Sequence, residues 1–129
     1  MEARRVVVTG IGVLTPIGNN LQAYWEGLTS GKSGAGPITL FDASNFKTTF
    51  ACEVKDFDPM EFLDRKASRK LDRFCQFAMV VSEEAFVDSK INLEDIDPDR
   101  AGVIWGSGIG GMSTFYTECV NFGIGNGTP

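Results

Sequence analysis

Histidine is missing altogether from the 129 residues, so no imidazole can serve here as a general base, a pH switch or a metal ligand. Cysteine is scarce. Cys52, Cys75 and Cys119 make an odd count at no metal-like spacing, which argues against a disulfide framework and for a reduced, cytoplasmic protein. With no histidine to lower a thiol pKa, none of the three is marked as a nucleophile, and all three read as structural, with Cys75 in the core. No apolar run approaches the length of a membrane-spanning helix. The opening "MEARRVVVTGIGVL" has the basic start and apolar run of a signal peptide. Thr9, Gly10 and Gly12 break that run, however, and no small-residue cleavage site follows. Positive charge is short as well: 12 Lys and Arg against 17 Asp and Glu, net −5. That balance argues against broad nucleic-acid binding, which rests on neutralising many phosphates.

What is present is globular. Hydrophobic residues make up 43% of the chain, with ten Phe among them, enough for one domain with a sizeable core. "RRVVVTGIGVL" is a β-branched run ending in glycines, as expected of a strand buried on both faces. Asn19 or Asn20 can cap a helix through Leu21, Tyr24, Trp25 and Leu28 that ends at Gly31. "TTFACEVKDFD" suggests a second extended segment, stopped by Pro59. Leu71, Phe74, Cys75, Ala78, Val81 and Ala85 then follow helical spacing and predict one long helix over 68–89. From 74 to 81 that helix is apolar almost all round, which predicts enclosure. "INLEDIDPDR" is a turn-rich connection, "AGVIW" predicts a third buried strand, and "GSGIGG" leads into a helix over 112–122. Strand and helix alternation gives an α/β class with a mainly parallel sheet. The closing "FGIGNGTP" is loop chemistry that anticipates a further element, so residues 1–129 are expected to be part of a larger fold.

One stretch reverses the sign of the chain. Between Arg65 and Arg73 lie five of the twelve bases and one acid, Asp72, for a local net of +4; the remaining seven bases and sixteen acids give −9. Arg65, Lys66, Arg69, Lys70 and Arg73 recur at i, i+1, i+4, i+5 and i+8, so they share one helical side. Charge runs are commonly just solvated faces. Cations at a helix N-terminus oppose its dipole, though, and this cluster is better suited to receiving an acidic partner.

Two glycine-rich stretches need weighing. "GSGIGG" satisfies G-x-G-x-x-G through Gly106, Gly108 and Gly111 between strand and helix, so pyrophosphate binding is one reading. A turn where backbone passes close to another segment is the other. The acid that would confirm a dinucleotide site falls beyond residue 129. "GLTSGKSG" is one residue short of a phosphate-binding loop and follows a helix, so it reads as a helix C-terminus with Lys32 near the last carbonyls.

Taken together, "RRVVVTGIGVLTPIG", "GKSG", "FDASNF", "RKASRKLDRF", "DS" at 88–89 and "GVIWGSGIGG" resemble, in order and spacing, the elongating type II β-ketoacyl-acyl-carrier-protein synthases. The resemblance covers essentially all of residues 1–129 and matches about the first third of such an enzyme. It implies the N-terminal portion of a thiolase-like fold, layered α-β-α-β-α. The implied activity of the complete protein is decarboxylative condensation of malonyl-acyl-carrier protein with an acyl-enzyme, in fatty-acid elongation. A Cys nucleophile and two histidines carry that chemistry in the family, all downstream of residue 129 in its pattern, so no catalytic residue is carried over. The resemblance implies that Lys66, Arg69 and Lys70 face the acidic acyl carrier protein, and that Ile109, beside Gly108, lines the acyl-chain pocket. It implies no metal or organic cofactor, substrates held on the carrier's phosphopantetheine, a homodimer when complete, and no nucleic-acid or membrane partner. Two alternatives stand beside it: a dinucleotide-binding oxidoreductase domain, resting on "GSGIGG", and a non-catalytic carrier-binding or assembly module.

A polypeptide of residues 1–129 lacks every imidazole the condensation needs. Incubated with acyl-carrier and malonyl-carrier protein, it is expected to release no more CO₂ than buffer; measured turnover above that background would contradict this assignment of roles.

Overall fold

The computed structural model describes residues 3–125 and 127. Among them the chain forms four α-helices, α1 (Leu21–Thr29), α2 (Arg65–Lys70), α3 (Arg73–Ser89) and α4 (Met112–Ile124), and one two-stranded antiparallel ladder. In that ladder β1 (Gly36–Pro37) pairs with β2 (Phe50–Ala51), with Gly36 opposite Ala51 and Pro37 opposite Phe50. Three short 3₁₀ turns, Pro59–Glu61, Leu93–Asp95 and Pro98–Arg100, punctuate the connections. The last two fall in "INLEDIDPDR", where turns are expected.

The ends of α1 follow from local chemistry. Asn20, not Asn19, is the cap: its side chain accepts the Ala23 N–H at 2.9 Å. Asn19 instead donates to the Lys55 carbonyl at 2.7 Å. At the other end Gly31 takes φ +70°, and the Gly31 and Lys32 amides donate to the Leu28 and Gly27 carbonyls at 3.2 and 2.8 Å. That pair of bonds is the glycine-terminated helix end the sequence suggests. Lys32 Nζ reaches back to the Ile17 carbonyl at 3.4 Å, so "GKSG" terminates a helix and opens none.

Helix α3 is the centre of the arrangement. The segment before α1 lies against it at Gly10 and Gly12, where a β-carbon would collide with the backbone of Ala85 and Ser89 and of Val81, respectively. The Ile11 amide donates to Asp88 Oδ2 at 3.0 Å and the Val13 amide to Glu84 Oε2 at 2.8 Å. Glu84 and Asp88 are one turn apart on the same helix face, roughly 6 Å along the axis. Alternate residues of an extended chain are spaced similarly, so the two carboxylates match the two amides.

Several expectations are corrected. The runs at 4–14 and 101–105 are not strands among the described residues: Val6, Val8 and Ile104 are 90%, 82% and 100% exposed, and no ladder partner reaches them. A β-branched run is competent to pair, but a strand forms only with a hydrogen-bonded neighbour. The expected mainly parallel sheet is absent from these residues for the same reason. Of "TTFACEVKDFD" only Phe50 and Ala51 are paired. The single long helix is two, because Leu71 is extended and Asp72 breaks the spiral at ψ 153°. The expected enclosure of 74–81 reduces to one buried side chain, Val81, while Met79 is exposed. Cys75 is only half-buried, and Cys52 and Cys119 are exposed. Helix α4 also continues to Ile124, through residues expected to be loop, and part of "GNGTP" lies outside the described residues.

The close approach of Gly12 to α3 gives a direct test. Gly12→Ala should destabilise by about 1–3 kcal/mol, because its β-carbon meets helix backbone that cannot move aside. The reading is a lowered urea midpoint at unchanged slope. Gly102→Ala, whose β-carbon meets nothing within 4 Å, is expected to stay within about ±0.5 kcal/mol.

Candidate functional site

The basic stretch is built on α2. Asp64 starts this helix, its carboxylate accepting the Lys66 and Ala67 amides at 2.8 and 2.9 Å. A six-residue helix is marginal by itself, so its C-terminal end needs support from outside. Gln76 Nε2 provides it, donating to the Ser68 and Leu71 carbonyls at 2.8 and 3.1 Å. These are carbonyls with no partner inside the helix, so α2 is clamped onto α3. Ala67 and Ser68 face inward and are half-buried, while Arg65, Lys66, Arg69 and Lys70 are exposed. Among the described residues none pairs with those four cationic side chains.

The break at 71–72 changes the electrostatic reading. The cations do not head one long helix. Arg69 and Lys70 occupy the last turn of α2, where positive charge complements the dipole, and Asp64 offsets Arg65 and Lys66 at its start. The cluster is therefore stable where it stands, and its strength as a patch comes from exposure and lack of partners.

Arg73 leaves the cluster. Its Nη2 donates to the Val54 carbonyl at 3.2 Å, and its guanidinium lies 5.5 Å from the Phe57 ring centre and 5.0 Å from that of Phe77. The two rings meet edge to face at 5.1 Å. Such contacts add about 0.5–1.5 kcal/mol beyond burial for an aromatic pair and about 0.5–1 kcal/mol for an exposed cation over a ring. Arg73 thus holds the 54–57 segment against α3, leaving Lys66, Arg69 and Lys70, with Arg65, as the outward patch.

The loop at 106–111 is the second component. Gly110 takes φ +78° and its amide donates to Ser107 Oγ at 3.2 Å, so Ile109 stands at the apex of a tight turn. Ile109 is 77% exposed and Gly108 faces open space. Among the described residues nothing encloses Ile109. The cleft of about 840 Å³ lies elsewhere, between Ile11, Leu21, Phe62, Met79 and Val87.

Asp72 joins the two components, and sequence reasoning missed its role. Its carboxylate accepts from Thr114 Oγ1 and sits where a β-carbon on Gly111 would be. The available signal was that Asp72 is the single acid in the basic stretch. "GSGIGG" is therefore the close-approach turn. A pyrophosphate at the start of α4 would meet a resident carboxylate instead of free donors, which removes the physical basis of the dinucleotide reading. Asp72 lies two residues from Lys70 and Gly111 two from Ile109, so chain reach keeps patch and loop within roughly 20 Å.

The described residues hold no cluster of three or more metal-ligating side chains, and no helix is long and apolar enough to cross a membrane. Comparison with known proteins gives the family. The sequence profile "Beta-ketoacyl synthase, N-terminal domain" matches residues 3–123. The chain is 53% identical over 118 residues to the 3-oxoacyl-[acyl-carrier-protein] synthase 2 of Synechocystis, a match covering 92% of this chain and 28% of that protein. It is also 53% identical over 112 residues to the synthase of the same name from Coxiella burnetii, covering 87% of this chain and 27% of that one. Among solved structures it superposes on the ishigamide ketosynthase/chain length factor with a TM-score of 0.84 at 32% identity, covering 95% of this chain and 30% of that chain. The chain thus spans less than a third of the length of these relatives, and over that span it belongs to the β-ketoacyl synthase family.

Proposed function

We propose that the complete protein catalyses decarboxylative condensation of malonyl-acyl-carrier protein with an acyl-enzyme, elongating fatty acids. Within it, residues 1–129 supply the carrier-docking face and part of the acyl-pocket wall. The observation that carries this reading is the unpaired cationic face of α2, clamped in place within reach of the loop that presents Ile109. An acidic carrier protein is the partner that such a face suits in a chain otherwise net negative. The names of the relatives, 3-oxoacyl-[acyl-carrier-protein] synthase 2, support the same substrate class.

In this reading Lys66, Arg69 and Lys70 orient the carrier, and the phosphopantetheine arm delivers the acyl group past Gly108 and Ile109. The nucleophilic Cys and the two histidines of the family lie outside residues 1–129, and no metal or organic cofactor takes part. The exposed runs at 6–8 and 103–105 become central strands of a mainly parallel, layered α-β-α-β-α sheet completed by the rest of the protein. A cytoplasmic homodimer is the expected working form.

Charge reversal separates docking from chemistry. Lys66→Glu with Lys70→Glu, in the complete enzyme, should raise the apparent KM for carrier-borne substrates at low salt, and the difference should fade as salt screens it. Reaction of the active-site Cys with a small thiol reagent should be nearly unchanged. A merely solvated face predicts effects within about ±0.5 kcal/mol and no salt dependence of the difference; an unaltered carrier KM would remove the docking role.

Chain-length selectivity tests the pocket wall. Ile109→Phe should slow long acyl substrates while sparing short ones, because an overfilled pocket costs about 1–3 kcal/mol only where the substrate meets the added ring. Equal loss for long and short acyl groups would place Ile109 outside the pocket.

A further inference from the structure

Asp72 stands at the cap position of α3 yet makes no side-chain hydrogen bond to that helix. Elsewhere the Asp and Asn residues at helix and turn starts serve their own element. Asn20 accepts from Ala23, Asp58 from Met60, Asp64 from Lys66 and Ala67, Asn92 from Glu94, and Asp97 from Asp99. Asp72 alone among these turns away. Its carboxylate accepts from Thr114 Oγ1, 42 residues distant in sequence, and packs on Gly111 with no space for a β-carbon. Helix α4 has Gly111 at its cap position and so no side-chain cap of its own. A favourable negative charge has in effect been transferred from the start of α3 to the start of α4.

The neighbours of this contact give it a direction. One residue, Leu71, separates Asp72 from the last cation of α2, and its carbonyl is held by Gln76. The next residue, Arg73, is pinned between Val54, Phe57 and Phe77. The α2–α3 side of the contact is therefore fixed. On the α4 side one residue, Gly110 at φ +78°, separates Gly111 from Ile109, and Ile109 itself is unsupported by any described residue. The rigid side sets the position of the unsupported one.

We propose that Asp72 is a positioning residue: through Thr114 and Gly111 it fixes the loop carrying Ile109 relative to the carrier-docking helix, and so sets which acyl chains the pocket wall admits. This rests on the function proposed above for α2 and Ile109. Asp72 itself touches no substrate. Its effect is on loop geometry, where a displacement of about an ångström can be worth a large factor in rate.

The test uses the complete enzyme with Asp72→Ala, Asp72→Asn, Thr114→Val and Thr114→Ser, each assayed with long and short carrier-borne acyl groups. Asp72→Ala and Thr114→Val should leave the carrier KM within about twofold, since the rim charges that set encounter are untouched. Both should lower kcat for long acyl groups by about tenfold or more while sparing short ones. Asp72→Asn keeps an oxygen for Thr114, and Thr114→Ser keeps the hydroxyl donor; both should recover most of the long-chain rate. Equal slowing of long and short substrates, or a lowered melting temperature with the wild-type length profile, would overturn the proposal. If Asp72→Ala does not fold, a wild-type length profile in Thr114→Val overturns it alone. Failure of the underlying function would look different: reversal of Lys66 and Lys70 would leave the carrier KM unchanged whatever residue stood at 72.

Discussion

Helix α3 organises the molecule through carboxylates, two on the helix and one just before it, that accept from donors of the segments packed against it. Glu84 and Asp88 take the amides of Val13 and Ile11, and Asp72, just before the helix, receives α4 at Gly111 and Thr114. In each place the opposing segment carries a glycine where a β-carbon would collide. The pairing is physically economical: glycine permits close approach, and the carboxylate satisfies a donor that approach would otherwise strand. Segment 10–13, α3 and the start of α4 are thereby locked in mutual position, and the functional elements hang from that lock.

The placement of positive charge follows from the same helix. A continuous helix across 68–89 would carry Arg69, Lys70 and Arg73 in its first turns, against its dipole, with Arg65 and Lys66 just ahead of it. The break at Leu71 and Asp72 divides the stretch into a short helix whose last turn holds Arg69 and Lys70, and a longer one whose first residue, Arg73, is turned onto Phe57 and Phe77. The backbone of two residues thus turns an unfavourable arrangement into a neutral or favourable one. It also sets a rigid joint between the patch and the 106–111 loop.

Features governed by local chemistry were legible in the sequence. The Asn cap and Gly31 end of α1, the turns in 91–100, and the existence of α4 each depend on a few neighbouring residues. The lack of pairing was not legible from periodicity, because a run such as Val6–Val8 states only that it can pair, and whether a hydrogen-bonded neighbour reaches it is not a local property. The helix break was hidden because Leu71, Phe74 and Cys75 keep helical spacing across it, although an aspartate before a helical run is itself a start signal. For the candidate site, the exposed patch at Lys66, Arg69 and Lys70 was visible as a charge reversal. That Arg73 leaves it was not, since withdrawal depends on the 54–57 segment bringing Phe57 beside Phe77 of α3.

A cationic face on an otherwise acidic chain does more than attract. Outside residues 65–73 the chain carries net −9 in sequence, whereas that stretch carries +4, so charge favours an acidic partner at α2. Over a Debye length of about 8 Å at physiological salt, attraction from four exposed cations competes with repulsion from their surroundings, so the field acts chiefly as a torque that rotates the partner before contact. For the docking proposed above, orientation matters more than affinity, because a substrate carrier must arrive, deliver and leave. A strong, enclosed ion-pair interface would slow the last step, whereas solvent-exposed lysines and arginines contribute little each and release readily. The exposure of Lys66, Arg69 and Lys70, which from the standpoint of folding stability looks like unused charge, suits the fast, oriented and reversible docking proposed for them.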